Sequence, residues 1–165
     1  MKRGASYSDN PQDVANSMNT HFTTVAEKLS EQLEKTDTNF KKYMKNENKS
    51  SIYLKNIETS EVVEQINALD AKKSTGHDEI PAKIIKWAPQ LFAPILKSLY
   101  NKCIDMGYYP SNMKIAKVTP IHKKGDKNDL NNYRPISVLT QFNQIFERLL
   151  SQRFLSFFER YIVRA

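Results

Sequence analysis

Residues 113–139 form the one stretch of this chain whose pattern predicts β-strands. The run from Lys114 to Thr119 alternates imperfectly, and Pro135 to Leu139 is a second short apolar run. The segment between them, HKKGDKNDLNNYR, is rich in Gly, Asn and Asp, which favour turns because they tolerate left-handed or side-chain-capped backbone. We therefore predict one antiparallel β-hairpin around residues 114–139.

Elsewhere the apolar residues recur at helical spacing. The Asn10-Pro11 pair predicts the start of a long helix, because Asn caps helices and Pro suits the first helical position. Its predicted buried stripe consists of Val14, Met18, Phe22, Val25, Leu29 and Leu33. Ser60 is predicted to cap a second helix whose buried face consists of Val62, Val63, Ile66 and Leu69.

The second half of the chain predicts three further helices. A short one begins at Pro81, and a longer one stops at Gly107. The predicted apolar side of the longer helix consists of Phe92, Ile95, Leu96, Leu99, Cys103 and Met106. Thr140 is predicted to cap a last helix with a broad apolar side. The predicted fold class is therefore α+β, mostly helical, with one antiparallel β-hairpin.

The predicted hairpin concentrates positive charge. It contains six cations but only two acidic residues, Asp126 and Asp129. The cations are Lys114, Lys117, Lys123, Lys124, Lys127 and Arg134. Such an arm suits phosphates, which lysine meets as a point charge and arginine as a planar fork. The net charge of +7 also favours a nucleic-acid or anionic-surface partner. On charge alone, a solvated loop with ordinary surface lysines is an equally good interpretation.

The two blocks KVTPIHKKG and NNYRPISVL resemble the finger-hairpin motifs of reverse transcriptases from non-LTR (LINE-type) retrotransposons, particularly the jockey-like branch. The resemblance implies an RNA-directed DNA polymerase, a nucleotidyltransferase whose hairpin closes over the incoming dNTP. By position, Arg134 resembles the triphosphate-binding arginine, and either Lys123 or Lys124 resembles its lysine partner. Asn132, Tyr133 and Pro135 resemble the residues that fix the turn and the entry into the strand.

Two more segments carry the resemblance. DVANSMNTHFTTVAEKL is similar to the helix that precedes the polymerase domain, and KKSTGHDEIPAKIIK is similar to a segment near the template-primer. In the second, His77 and Glu79 replace the usual Pro and Gly, so we expect a looser turn. The alternative is that Gly76 and Asp78 only shape a turn into the helix at Pro81, and for Asp78 we favour it. The resemblance makes Lys72 and Lys73 candidate contacts to the nucleic-acid backbone, and the charge of the hairpin adds Lys114, Lys117 and Lys127 to them.

The resemblance also implies a division of the chain. Residues 1–56 would be the helical and linker segment that precedes the polymerase domain. Residues 57–165 would be the N-terminal part of the fingers subdomain, truncated before the palm. The implied partners are an RNA/DNA template-primer, a dNTP and the missing palm.

Catalytic carboxylates are missing from the sequence. Polymerases hold two metal ions with carboxylates at strand ends, and the family uses one palm Asp and a later Asp-Asp pair. This chain has no Asp-Asp pair, so we predict no catalytic residue, no metal ligand and no bound cofactor, with Mg²⁺ expected only in a complete enzyme. The chain alone is expected to be inactive. The alternative is a non-catalytic nucleic-acid-binding or helical protein-interaction module derived from such an element.

Composition excludes several other classes. Cys103 is the single cysteine, so neither an intrachain disulfide nor a multi-cysteine zinc site is possible. The start of the chain is basic but lacks the apolar core of a signal peptide, and no apolar run is long enough to span a membrane. We therefore expect an intracellular protein of the nucleus or cytoplasm that is not secreted.

Overall fold

The computed structural model describes residues 2–3, 6–7, 9–34, 39–43 and 50–161. The contacts divide the chain into two compact units. The first consists of Met1–Glu47 and Val118–Ser137, and the second of Asn48–Lys117 and Val138–Ala165. The predicted division at residues 56 and 57 stays a prediction, and residues 44–49 of the predicted linker lie outside the described part.

The described elements are mostly helical. The helices are α1 (Pro11–Glu31), α2 (Thr59–Asn67), α3 (Ala82–Trp87), α4 (Pro89–Met106) and α5 (Gln141–Tyr161). The strands are β1 (Lys2–Arg3), β2 (Ser6–Tyr7), β3 (Lys117–His122) and β4 (Tyr133–Val138). Short 3-10 turns lie at Phe40–Tyr43, Ser111–Lys114 and Leu130–Asn132. The α+β class and the β3–β4 hairpin are confirmed, and the two-residue pair of β1 with β2 adds to the one hairpin that was predicted.

In the first unit, α1 begins where the sequence predicts. The Oδ1 atom of Asn10 accepts a hydrogen bond of 2.9 Å from the N–H of Gln12. Of the predicted stripe, however, only Met18 is buried, while Val14, Phe22 and Val25 are half-buried. Met18 is 5% exposed, whereas Leu29 is 58% exposed and Leu33, at 72%, lies beyond the end of the helix. The α1 residues that line a cleft with the β3–β4 hairpin all lie between Pro11 and Thr23, so Leu29 and Leu33 are outside that cleft.

The core of the second unit lies among α2, α4 and α5. The rings of Tyr100 and Phe146 stack with centroids 4.6 Å apart, and the Tyr100 hydroxyl donates a 2.7 Å hydrogen bond to the Phe142 carbonyl. Cys103 is buried, as predicted, and burial raises the pKa of its thiol. The other buried core residues are Ile57, Val62, Ile66, Leu69, Ala82, Ile85, Ala93, Leu96, Met113, Ile145 and Leu149.

The predicted cap of α2 was wrong, and the predicted face of α4 was only partly right, since Leu96 and Cys103 are buried there as predicted. The cap of α2 is Glu58 and not Ser60, because the Glu58 N–H donates a 2.8 Å hydrogen bond to the Glu61 carboxylate. The buried face of α4 consists of Ala93, Leu96, Tyr100 and Cys103. The predicted face residues Ile95 (62%), Leu99 (40%) and Met106 (64%) are exposed. Apolar residues occupy most of the circumference of α4, so periodicity alone did not identify the face that packs against α2.

Local stop and cap signals were predicted correctly. Gly107 ends α4 in the left-handed region, with φ of 58°. The Thr140 hydroxyl accepts a 3.2 Å hydrogen bond from the Asn143 N–H at the start of α5. The first half of α5 is buried, but its second half exposes Phe154, Leu155 and Phe158.

A long-range ion pair fixes the segment before α2 to α5. The Arg153 guanidinium lies 3.0 Å from the Glu61 carboxylate and also donates to the carbonyls of Lys55 (2.7 Å) and Asn56 (3.1 Å). Burial alone would raise the pKa of Glu61. The hydrogen bond from the Glu58 N–H and the Arg153 partner outweigh that effect, and the pKa of Glu61 is lowered.

Candidate functional site

The β3–β4 hairpin is the candidate site, and its strands are displaced from their predicted bounds. Lys114 lies in the 3-10 turn Ser111–Lys114 and not in a strand, and β4 begins at Tyr133, two residues before Pro135. The 3-10 turn forms because the Met113 N–H donates to the Pro110 carbonyl at 3.0 Å while the Met113 side chain is buried. The start of β3 is thereby moved to Lys117.

Two aspartates shape the tip of the hairpin. Asp126 accepts a 2.9 Å hydrogen bond from the Asn128 N–H through its side chain. The Asp129 side chain likewise accepts a 2.9 Å hydrogen bond from the Asn131 N–H. These are Asx turns, in which a carboxylate replaces a backbone acceptor. The richness of this segment in Asn and Asp predicted a turn, and the Asp-x-Asn spacing was the signal for these two Asx turns.

Two residues hold the tip against the strands: Asn132, the last residue of the 3-10 turn Leu130–Asn132, and Tyr133, the first residue of β4. The Asn132 side-chain amide donates a 2.9 Å hydrogen bond to the Asp126 carbonyl, and the Tyr133 hydroxyl donates one of the same length to the Lys127 carbonyl. The Tyr133 ring also meets the His122 ring edge-on, with centroids 5.2 Å apart. Asn132 and Tyr133 therefore do fix the turn, while His122 was not anticipated.

The hairpin has two distinct faces. Successive side chains of a strand alternate between the faces of a sheet. Val118 and Pro120 of β3 and Tyr133, Pro135 and Ser137 of β4 line a cleft of about 670 Å³ together with α1. By alternation Arg134, which is exposed, lies on the opposite face.

The tip and the outer face carry free cations. The side chains of Lys123, Lys124, Lys127 and Arg134 are exposed, and none has a hydrogen bond or ion pair among the residues that the structure describes. Asp126 and Asp129 each engage a carboxylate oxygen in a turn. Four exposed cations on an ordered arm can bind phosphate groups.

The other predicted nucleic-acid contacts lie in the second unit. Lys72, Lys73, Lys114 and Lys117 are all exposed. Lys72 and Lys73 lie in the loop between α2 and α3, where their N–H groups donate to Asp70. Among the described residues, the side chains of Lys72 and Lys73 have no hydrogen-bond or ion-pair partner.

The loop from Gly76 to Ile80 is a defined turn. A Cβ atom on Gly76 would lie 2.6 Å from the Thr140 nitrogen, so only glycine allows this approach. Asp78 accepts a 3.3 Å hydrogen bond from the Ile80 N–H, which confirms its predicted structural role. Glu79 has a φ of 56° and so occupies a left-handed position in which glycine is unstrained. The turn therefore forms despite the Glu79 replacement.

Two other kinds of site are absent from the described residues. Within the described ranges, no three His, Cys, Asp or Glu side chains lie close enough together to hold a metal ion. Among the same residues, no helix combines the length and the apolar composition that a membrane span requires.

The comparisons with known proteins give relatives of one kind. No protein-family model matches the chain. The probable RNA-directed DNA polymerase from transposon BS of Drosophila melanogaster is 31% identical over 140 residues, which are 84% of this chain and 15% of that protein. The RNA-directed DNA polymerase from mobile element jockey of the same species is 32% identical over 115 residues, 69% of this chain and 13% of that protein. The probable RNA-directed DNA polymerase from transposon X-element of that species is 32% identical over 103 residues, 62% of this chain and 11% of that protein. The chain thus spans only 11% to 15% of the length of these relatives.

Proposed function

Because the chain is homologous to a segment of the RNA-directed DNA polymerases of jockey-like and other non-LTR retrotransposons, we propose that its basic hairpin binds the triphosphate of an incoming nucleotide. In this proposal, residues 57–165 act as part of the fingers subdomain, and residues 1–56 act as the helical linker before it. The carboxylates that hold the metal ions would come from the part of the polymerase that this chain does not match.

The observation that carries the proposal is the exposed Arg134 beside an ordered tip. Arg134 directly follows Tyr133, whose hydroxyl is bonded to the Lys127 carbonyl. Its guanidinium has no partner among the described residues and lies on the face away from the α1 cleft. An arginine held by a rigid neighbour and left unpaired suits bidentate contact with phosphate oxygens.

The geometry favours Lys123 over Lys124 as the lysine partner. The Lys123 N–H donates a 2.7 Å hydrogen bond to the Asn132 carbonyl, so strand pairing continues through Lys123. Since Val118 and Pro120 face the cleft, alternation places Lys123 on the same face as Arg134. Lys124 follows at the bend before Gly125, whose φ is 85°, and is better suited to an outlying phosphate.

The remaining predicted cations would contact the template-primer backbone. Lys72, Lys73, Lys114, Lys117 and Lys127 are exposed, as such contacts require. Phosphate contacts of this kind position a duplex without reading its sequence. A non-catalytic nucleic-acid-binding module is the second candidate function, and it rests on the same exposed hairpin cations and the net charge of +7.

A titration of the 165-residue chain with a fluorescent dNTP tests the proposal. We expect weak binding that inorganic tripolyphosphate displaces and that the unphosphorylated nucleoside does not. Primer extension with template, dNTPs and Mg²⁺ or Mn²⁺ should give no product from the chain alone. Absence of dNTP binding at low salt, together with salt-sensitive binding of nucleic acid, would favour the second candidate.

A further inference from the structure

We propose that α1 is the support that fixes the orientation of the hairpin, with Met18 as its main positioning residue. The effect on nucleotide binding rests on the proposed triphosphate site, whereas the support of the hairpin by α1 does not depend on it. Both elements belong to the same compact unit.

The facing surfaces of α1 and the hairpin carry the inference. Val14, Met18 and Phe22, spaced by one helical turn each, line the cleft from the helix side. Val118 and Pro120 line it from β3. Met18 is only 5% exposed, whereas Leu29, farther along α1 and outside the cleft, is 58% exposed. The part of α1 that faces the hairpin across the cleft is thus one face of the segment from Pro11 to Thr23.

The hairpin needs such a support. An isolated two-stranded hairpin is at best marginally stable in water. Strand addition cannot readily stabilise it, because each strand contains a proline, Pro120 in β3 and Pro135 in β4. Along a strand, successive backbone nitrogens point to opposite edges. The Lys123 N–H points toward the other strand, where it donates to the Asn132 carbonyl, so the nitrogen of Pro120, three residues earlier, points to the outer edge of the hairpin. A proline at an outer edge offers no donor to a further strand. Among the described residues of this unit, α1 lines a cleft with the hairpin, and we infer that packing against it stabilises the two strands.

Tyr133 links the support to the triphosphate site. Its ring lines the α1 cleft, and its hydroxyl holds the Lys127 carbonyl at the tip. The next residue is Arg134. A change in the apolar face of α1 therefore acts on Arg134 through Tyr133 without touching any cation.

Hydrogen exchange of the 165-residue chain tests the structural part. Met18→Asp buries a charge in the cleft, and we expect exchange in residues 118–137 to rise about tenfold or more, with α2, α4 and α5 unchanged. Leu29→Asp makes the same change at an exposed position of the same helix and should leave the hairpin as in the wild type. Met18→Leu should also do so, since it conserves apolar volume.

Two outcomes would overturn the inference. One is equal exchange of residues 118–137 in the wild type, Met18→Asp and Leu29→Asp proteins. If Met18→Asp unfolds the whole chain, Met18→Ala is measured in its place. The second outcome is then a rise in hydrogen exchange in the Met18→Ala protein that is not confined to residues 118–137. A confined rise in Met18→Ala, smaller than that expected for Asp, supports the inference.

Fluorescent dNTP affinity supplies the functional readout. Met18→Asp should weaken binding about fivefold or more through displacement of Arg134, while Met18→Leu and Leu29→Asp bind as the wild type does. If the wild-type chain binds no dNTP, the proposed function fails, yet the exchange experiment still decides whether α1 supports the hairpin. Wild-type affinity in Met18→Asp, with the hairpin deprotected, would overturn the functional part alone.

Discussion

The hydroxyl of Tyr133 donates a 2.9 Å hydrogen bond to the backbone carbonyl of Lys127. This bond joins the first residue of β4 to the basic tip and holds the cations of the tip near the strand that carries Arg134. A tip held only by backbone turns would allow these charges to move independently. The bond therefore pre-organises the proposed phosphate site.

Tyr133→Phe removes this bond while it keeps the ring in the α1 cleft. We expect faster hydrogen exchange across residues 123–132 and a loss of about 1 kcal/mol in the free energy that holds the tip closed. Tyr53→Phe is the matched control, because Tyr53 is 85% exposed. Exchange at the tip that is the same in Tyr133→Phe and the wild type would show that the hydroxyl does not hold the tip.

In the turn at residues 76–80, glycine is predicted to stabilise the chain at two positions, one where it is introduced and one where it is already present. Glu79→Gly should raise the free energy of unfolding by up to about 1 kcal/mol, because it relieves the left-handed strain at φ of 56°. Gly76→Ala should lower it by about 2 kcal/mol or more, since the new Cβ would lie 2.6 Å from the Thr140 nitrogen. Urea unfolding measures both.

Glu64→Gly is the control for this pair. Glu64 is exposed within α2, where glycine costs about 1 kcal/mol relative to a good helix former. If Glu79→Gly destabilises the chain as much as Glu64→Gly does, Glu79 is not strained.

The Arg153–Glu61 pair gives a pH dependence whose sign follows from the lowered pKa of Glu61. A carboxyl whose pKa is lower in the folded than in the unfolded chain stabilises the fold above its unfolded pKa of about 4.5. This contribution is lost as pH falls through the folded pKa. Glu61→Gln should therefore lower stability at pH 7 and make it less dependent on pH below about 5.

The expected size of this effect is small. The Glu61 side chain is 36% exposed, so solvent screening should limit the ionic contribution to less than about 1 kcal/mol. Glu64→Gln at an exposed position is the control, and urea unfolding at pH 7 and pH 4 is the measurement. A Glu61→Gln protein that loses as much stability as the wild type between these pH values would contradict the assigned role.

Local sequence signals predicted much of the fold, and long-range packing set the rest. The Asn10 cap and the Gly107 stop depend on neighbouring residues, and both were predicted. The approach of Gly76 to Thr140 and the pairing of Glu61 with Arg153, 92 residues away, leave no local signal. The exposure of Ile95, Leu99 and Met106 on α4 was not predicted for the same reason. The position at which α2 packs decides which apolar residues of α4 are buried.

The hairpin was predicted to within a few residues from its composition and its resemblance. Its strand bounds were displaced because the 3-10 turn at Ser111–Lys114 precedes β3. The proposed role of α1 beside the hairpin had no sequence signal beyond an amphipathic stripe, since periodicity does not identify the partner of a helix.

The exposed hairpin lysines predict salt-dependent binding of nucleic acid. Release of counterions from a handful of phosphates should lower affinity by roughly one to three orders of magnitude between low and physiological salt. Lys123→Ala and Lys124→Ala should each weaken binding equally for all sequences and reduce the salt slope. Lys102→Ala, at an exposed position of α4, is the control. Salt-independent binding, measured by fluorescence anisotropy, would remove the phosphate interpretation.

The most direct test of the central claim is fluorescent dNTP binding by the Arg134→Ala chain. We predict that Arg134→Ala lowers dNTP affinity about tenfold or more, because an arginine–phosphate pair is a charge-assisted, bidentate contact. Arg160→Ala, at an exposed position near the end of α5, should bind dNTP as the wild type does, and both variants should keep nearly unchanged affinity for duplex DNA. Equal dNTP affinity in the wild type, Arg134→Ala and Arg160→Ala would contradict the claim that the hairpin binds the triphosphate.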